Sequence, residues 1–277
     1  NCDGTDGIQT NTVFVATTGQ DISTCGEALT PCATINQGLT RASSLGRTQV
    51  QVAGGTYAKF TVVAGFEIGG HYNSATWLKA GGTTTFVTAA FDATVNGPVG
   101  ILASGISTPT KVSDLTVSGV AAGPGQRSYG VAVLNSTSAL TFDTVTLNGG
   151  TGNDTYLFGK GSGIDIIIDN DASAGNLDIV AVGPGVAANQ LWFQRVGYDL
   201  QVHIVGTQDA STVRNWYYGA QYQIEQFTTS DGKTLLNTQV DALVSAMAAF
   251  SPLTTGQTQL PTSYQTVLNP VIAASWK

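Results

Sequence analysis

The sequence predicts an all-β protein: short strands wound into a solenoid, followed by an antiparallel meander and a short C-terminal helix. Three observations carry this. Only 10% of the 277 residues are charged while 34 are glycine, against roughly 25% charged in an average soluble protein. From Val13 to Asn148 the chain breaks into β-branched runs of a few residues, separated by Gly, Asn, Ser and Pro. Two of these runs, DLTVSG and DTVTLNG, read as copies of one coil about 30 residues apart.

The runs TVFVA, TQVQVAGGTY, KFTVV, TTTFV, VGILAS, KVSDLTVSG, YGVAVLN and ALTFDTVTLNGG have the length and period-two alternation of strands. They are joined by polar corners more than by the Asn-Gly and Asp-Gly two-residue loops of hairpins, which favours a solenoid over a β-sandwich of equal strand number. One helix interrupts them: PCATINQGLTRASSLG places Ile35, Leu39 and Ala42 on one face and stops at Gly46. A net charge of −7 with 11 basic residues excludes a nucleic-acid partner and favours cations. No run of apolar residues is long enough to span a membrane. The chain opens at Asn1 without a signal peptide, which reads as a processed form or a fragment.

Cys25 and Cys32 enclose a short loop in CGEALTPC. A bridge there is worth roughly 2–3 kcal/mol in the chain-entropy model. A metal site is the competing reading, but His71 and His203 are far away in sequence, so a disulfide and an oxidising compartment are expected. Cys2 is left free or takes one of the two partners.

PCATINQGLTRAS, VQVAGGTY and FEIGGHYNSATW together resemble the opening of secreted bacterial right-handed parallel β-helix proteins, over residues 12 to 80. The resemblance implies a domain over 1–148, a right-handed β-helix with an N-terminal cap. Many such proteins cleave polysaccharides, which needs clustered acids and bases. Between 81 and 148 only Asp92, Lys111, Asp114, Arg127 and Asp143 ionise. Asp114 and Asp143 occupy equivalent places in the two coil copies, as paired carboxylates or as corner residues bonding their own turns.

GGTGNDTYL, from Gly149 to Leu157, fits the G-G-x-G-x-D-x-U-x nonapeptide of RTX β-rolls, with Tyr156 as the large apolar residue. KGSGIDIII, from Lys160, is a second copy in which Lys160 replaces the first glycine. The pattern suits Ca²⁺: glycines at positive φ aim carbonyl oxygens at one point and the aspartate adds an anionic oxygen. The expected ligands are Gly150, Gly152, Asp154, Gly161, Gly163, Asp165 and Asp171, with Asp169 and Asp178 as further donors. A dissociation constant on the order of 10⁻⁴–10⁻³ M is expected. The plainer reading is a pair of turns whose aspartates cap the backbone.

From Gly149 to the end the chain resembles the C-terminal module of haemolysin-type calcium-binding proteins, through blocks such as LWFQR, DLQVHIVG, NWYYGAQYQIEQF and DGKTL. This implies an RTX-like domain over 149–277, Ca²⁺ as its ion and a C-terminal export address. QLWFQ, DLQVHIVG and QYQIEQF alternate as a meander with turns at RVGYD and SDG. A helix from about Thr238 to Phe250 follows, capped by Asn237 and presenting Leu236, Val240, Leu243, Val244 and Met247. His203 reads as a polar strand residue, and Trp192, Trp216, Tyr217 and Tyr218 as core or as a sugar platform.

The function this predicts is a non-catalytic, secreted or cell-surface structural or adhesive protein stabilised by calcium, with end-to-end self-association into fibres as a variant. The alternative is a protein that binds or cleaves extracellular polysaccharide.

Overall fold

The computed structural model describes residues 9–79, 81–119, 128–134, 136, 139–149 and 151–277. Cys2, Arg127 and Gly150 therefore lie outside the described residues.

Strand β1 (Thr12–Val15) is buried along its length. The segment after it returns to bond the free edge of β1, with Phe14 N donating to Gly26 O and Cys32 N to Phe14 O. The expected Cys25–Cys32 disulfide pins that loop. Helix α1 (Ile35–Leu45) begins where the Thr34 hydroxyl accepts from Gln37 N, and ends where Gly46 adopts a φ of 66°. Its buried face is Ile35, Gly38, Leu39 and Ala42. Gly38 is required, because a Cβ there would strike the Val15 side chain.

The chain then lays down strands in repeating order. The first set is β2 (Gln49–Ala53), β3 (Gly55–Ala58) and β4 (Phe60–Thr61). The second is β5 (Glu67–Tyr72), β6 (Thr85–Thr88), a side strand β7 (Ala90–Asp92) and β8 (Gly97–Ser104). The third is β9 (Thr110–Ser113), β10 (Thr116–Ser118) and β11 (Ser128–Leu134), and the fourth β12 (Leu140–Asp143), β13 (Thr146–Asn148) and β14 (Asp154–Phe158). Next come β15 (Ile164–Ile168) and β16 (Ile179–Val182), a hairpin β17 (Leu191–Val196) and β18 (Asp199–Ile204), then β19 (Ala210–Val213), β20 (Gln226–Thr228) and β21 (Thr234–Leu236).

These strands make three sheets. The first, β1-β2-β5-β9-β12, is parallel throughout. The second runs β3-β6-β10-β13-β15-β19 in parallel and closes on antiparallel β18 and β17. The third runs β4-β8-β11-β14-β16-β20 in parallel, with β21 antiparallel at its end and β7 antiparallel beside β8. Two of the three sheets are thus mixed. Within the second sheet Tyr57, Val87, Val117, Leu147, Ile167 and Val213 stand in register and are all buried. Such a column has no core until its neighbours are in place, so each strand depends on the next.

The first sheet stops at β12, because the chain passes from β14 to β15 through Gly159–Gly163 without another strand in it. Helix α2 (Asn237–Met247) buries Val240, Leu243 and Met247 against β17 and against helix α3 (Thr262–Ser275). Among the described residues no helix is long and apolar enough to cross a membrane.

Three expectations need correction. QYQIEQF is not a meander strand: its first part is a 3₁₀ turn, Ala220–Tyr222, and its end enters β20, while β19 supplies the third antiparallel strand. Leu236, expected on the α2 face, precedes the helix and is exposed. Helix α3, with Pro270 inside it, had no counterpart in the sequence reading.

Candidate metal centre

Gly149 and Gly152 turn the chain from β13 into β14. Gly152 sits at a φ of 93°, and a Cβ at Gly149 would strike the Tyr156 hydroxyl. The acids here take the backbone N–H groups of the turn. Asp171 Oδ2 accepts from Gly152 N at 2.7 Å and Asp178 Oδ1 from Asp154 N at 2.7 Å. Asp178 N in turn donates to Glu225 Oε2 at 2.7 Å.

The strand register explains this chain of bonds. Thr155 stands opposite Ile179, and Ile179 opposite Gln226, so the acids one place earlier, Asp154, Asp178 and Glu225, stack rung over rung at the entry to the third sheet. Asp169, directly after β15, lies beside them and accepts the Tyr156 O–H through Oδ2 at 3.0 Å. Its Oδ1 is buried without a hydrogen-bond partner, and the residue is 1% exposed. None of the ion pairs among the described residues reaches Asp169 or Asp178.

Burial, joined by the charge of Asp154 and offset by the Tyr156 hydrogen bond, raises Asp169 to about 6. Burial, offset by the Asp154 N–H and joined by the charges of Asp169 and Glu225, raises Asp178 to about 8. Burial first, then the negative charges around it, also pushes the Tyr156 phenol well up.

The second nonapeptide builds a different turn. Gly161 and Gly163, at φ of 86° and 72°, give both N–H groups to Asp209, at 3.1 and 2.9 Å. Their carbonyls are occupied as well, Gly161 O by Phe142 N and Gly163 O by Ala210 N. Asp165 accepts from Val145 N at 3.2 Å. Burial first, then the charges of Asp143 and Asp209, raises it to about 8.

The seven expected ligands therefore do not form one shell. Asp154 starts β14 in the third sheet and Asp165 lies in β15 of the second. Gly152 and Asp171 belong with the first turn, Gly161 and Gly163 with Asp209, and Gly150 is outside the described residues. Among the described residues, no three acidic, His or Cys side chains form a ready-made metal cage. The donor chemistry of the Asp154, Asp169, Asp178 and Glu225 corner nevertheless suits a hard cation, since it gathers carboxylate oxygens, one of which, Asp169 Oδ1, is sealed from water and makes no hydrogen bond.

Sequence reasoning missed Asp209 and Glu225. The available signal was an acid directly before a strand, as at Asp178-Ile179, Asp209-Ala210 and Glu225-Gln226.

Other candidates separate cleanly. Asp114 and Asp143 do not stack: Asp143 stands opposite Ser113, one place out of step, and the two acids pair with Lys79 and Lys111 respectively. His203 is half-buried in β18 against Gln201, and its burial lowers its pKa. Trp192 and Trp216 are core residues, which removes them from a sugar platform, while Tyr218 is exposed beside Tyr198.

Residues 199–239 match the family model of the haemolysin-type calcium binding protein related domain. The chain is also 34% identical over 93 residues to the iron-regulated protein FrpA of Neisseria meningitidis serogroup C. That alignment covers 32% of this chain and 8% of FrpA, so the chain spans a small part of that relative's length. The family match begins at β18 and ends inside α2, and so contains both Asp209 and Glu225.

Gly163 and Gly152 offer a direct check on the turn geometry. Both have positive φ, but a Cβ at Gly163 would also strike the Phe142 carbonyl, whereas Gly152 faces open space. Gly163→Ala should cost about 1–3 kcal/mol more than Gly152→Ala in denaturant unfolding. Equal costs would refute the packing described for the second turn.

Proposed function

We propose that this chain is an exported, non-catalytic structural module stabilised by calcium, held where Asp154, Asp169, Asp178 and Glu225 gather. The carrying observation is the sealed, unpartnered Asp169 Oδ1 beside a column of stacked acids. The match to a domain related to haemolysin-type calcium binding proteins supports the choice of ion. Bound calcium would supply positive charge to carboxylates that otherwise repel one another or hold protons. Asp169 would present its free oxygen, and Asp178 and Glu225 would keep capping backbone N–H groups while contributing charge.

The parallel ladders support reading the fold as a right-handed parallel β-helix over 1–148 that continues as an RTX-like roll over 149–277. The low charge, the disulfide and the likeness to part of FrpA support export. An adhesive or scaffolding role outside the cell suits a rigid stack of this kind. The end-to-end fibre is not part of the proposal, because the outer edge of β1 is already bonded by residues 26–32.

Calorimetric titration and thermal melting test the ion. With a dissociation constant on the order of 10⁻⁴–10⁻³ M, about 5 mM Ca²⁺ should add about 1–2 kcal/mol. That corresponds to a rise of roughly 2–8 °C in Tm over chelated protein. Asp169→Asn should remove most of the rise while leaving a folded chain. A wild-type Tm that does not move between EDTA and calcium would end the calcium reading.

A further inference from the structure

The proposed calcium corner uses neither Lys160 nor Asp165, although both belong to the second nonapeptide. Both line a cavity of about 500 Å³, within the size range of small-molecule sites. The cavity has a structural origin. Leu140 and Phe142 of β12 end the first sheet, and the chain crosses from Phe158 to Ile164 through a turn instead of adding a strand there. The side chains that such a strand would send inward are missing, and Val131, Leu147 and Leu157 wall the space that remains.

We propose that this cavity binds one medium-chain fatty acid, its tail among Leu140, Phe142, Leu147 and Leu157 and its carboxylate on the Lys160 ammonium. The apolar walls set the tail and the charge at the mouth sets the head. Lys160 is exposed and, among the described residues, has no ion-pair partner. Asp165, the carboxylate that would oppose an anion here, is buried and turned to accept from Val145 N, while Lys160 stands exposed. Ala181, half-buried in β16, also lines the cavity and gives access to it by mutation from a position of small volume.

The test is titration of the full chain, in EDTA and below the micelle concentration, with octanoate, decanoate and dodecanoate, and with decanol as the neutral comparator. One saturable site per chain is expected. Affinity should rise about fourfold per methylene, the equivalent of about 0.8 kcal/mol, until the cavity is full. Ala181→Trp should weaken decanoate at least tenfold by filling the space. Lys160→Glu, at an exposed turn that will not unfold the chain, should weaken decanoate about tenfold and change decanol less than twofold. Absence of saturable binding, an affinity independent of chain length, or equal loss of decanoate and decanol in Lys160→Glu would each overturn the proposal. Because calcium is chelated throughout, failure here leaves the calcium reading standing, and failure there leaves this one.

Discussion

Asp209→Ala should destabilise the chain by about 2–4 kcal/mol, more than a change at an ordinary surface acid. Asp209 is 8% exposed and its two oxygens hold the N–H groups of Gly161 and Gly163. Hydrogen bonds to a charged acceptor contribute roughly 1.5–3 kcal/mol each, and a donor left buried without one costs a similar amount. The turn has little freedom to find other partners, because Gly163 lies against the Phe142 carbonyl and Gly161 O is bonded to Phe142 N. Asp209→Asn keeps one accepting oxygen and should lose about half as much. Urea unfolding of the three proteins measures this. A midpoint for Asp209→Ala within error of wild type would show that the turn is held by something other than this carboxylate.

In the absence of calcium, stability should fall as pH rises from about 5 to about 8.5, and calcium should offset the part of the fall that comes from Asp169 and Asp178. Asp165 and Asp178 stand at about 8 and Asp169 at about 6, each raised first by burial. An acid raised on folding binds its proton more tightly in the native state. Its contribution is complete below the unfolded value near 4 and is lost as pH climbs through the folded value. Leaving one such carboxylate ionised and unpaired costs on the order of several kcal/mol. Asp92 works in the opposite sense. The hydrogen bond from Lys59 holds it at about 2, so its contribution is present above pH 4 and is lost on further acidification. The optimum of the chelated protein should therefore fall near pH 5. Calcium competes with protons for Asp169 and Asp178, so the calcium-induced rise in Tm should be larger at pH 8.5 than at pH 5.5. A rise that is the same at both pH values would remove those two residues from the site.

What the sequence by itself determined were the features whose partners lie a few residues apart. Thr34 and Gly46 bound α1, Cys25 and Cys32 meet, the turns at RVGYD and SDG fall where their glycines predict, and the alternating runs between Val13 and Asn148 enter strands that bury most of their apolar residues, Val63 and Phe86 excepted. These rest on capping, loop closure and side-chain period, which act within one turn or one strand.

The site was legible only in its vocabulary. The described glycines of both nonapeptides do form turns and the aspartates stand in the strands that follow, but which acid serves which turn was decided by residues 19 to 48 positions away, as in Gly152 with Asp171, Asp154 with Asp178 and Gly161 with Asp209. The slip of Asp143 against Ser113 instead of Asp114, and the stacking of Asp154, Asp178 and Glu225, have the same origin. Register between parallel strands is fixed by the columns of buried side chains and by the length of chain between strands, and neither is visible in any single run. The cavity at Lys160 goes one step further, since it exists because a strand is absent, and only the assembled sheets show where that space falls.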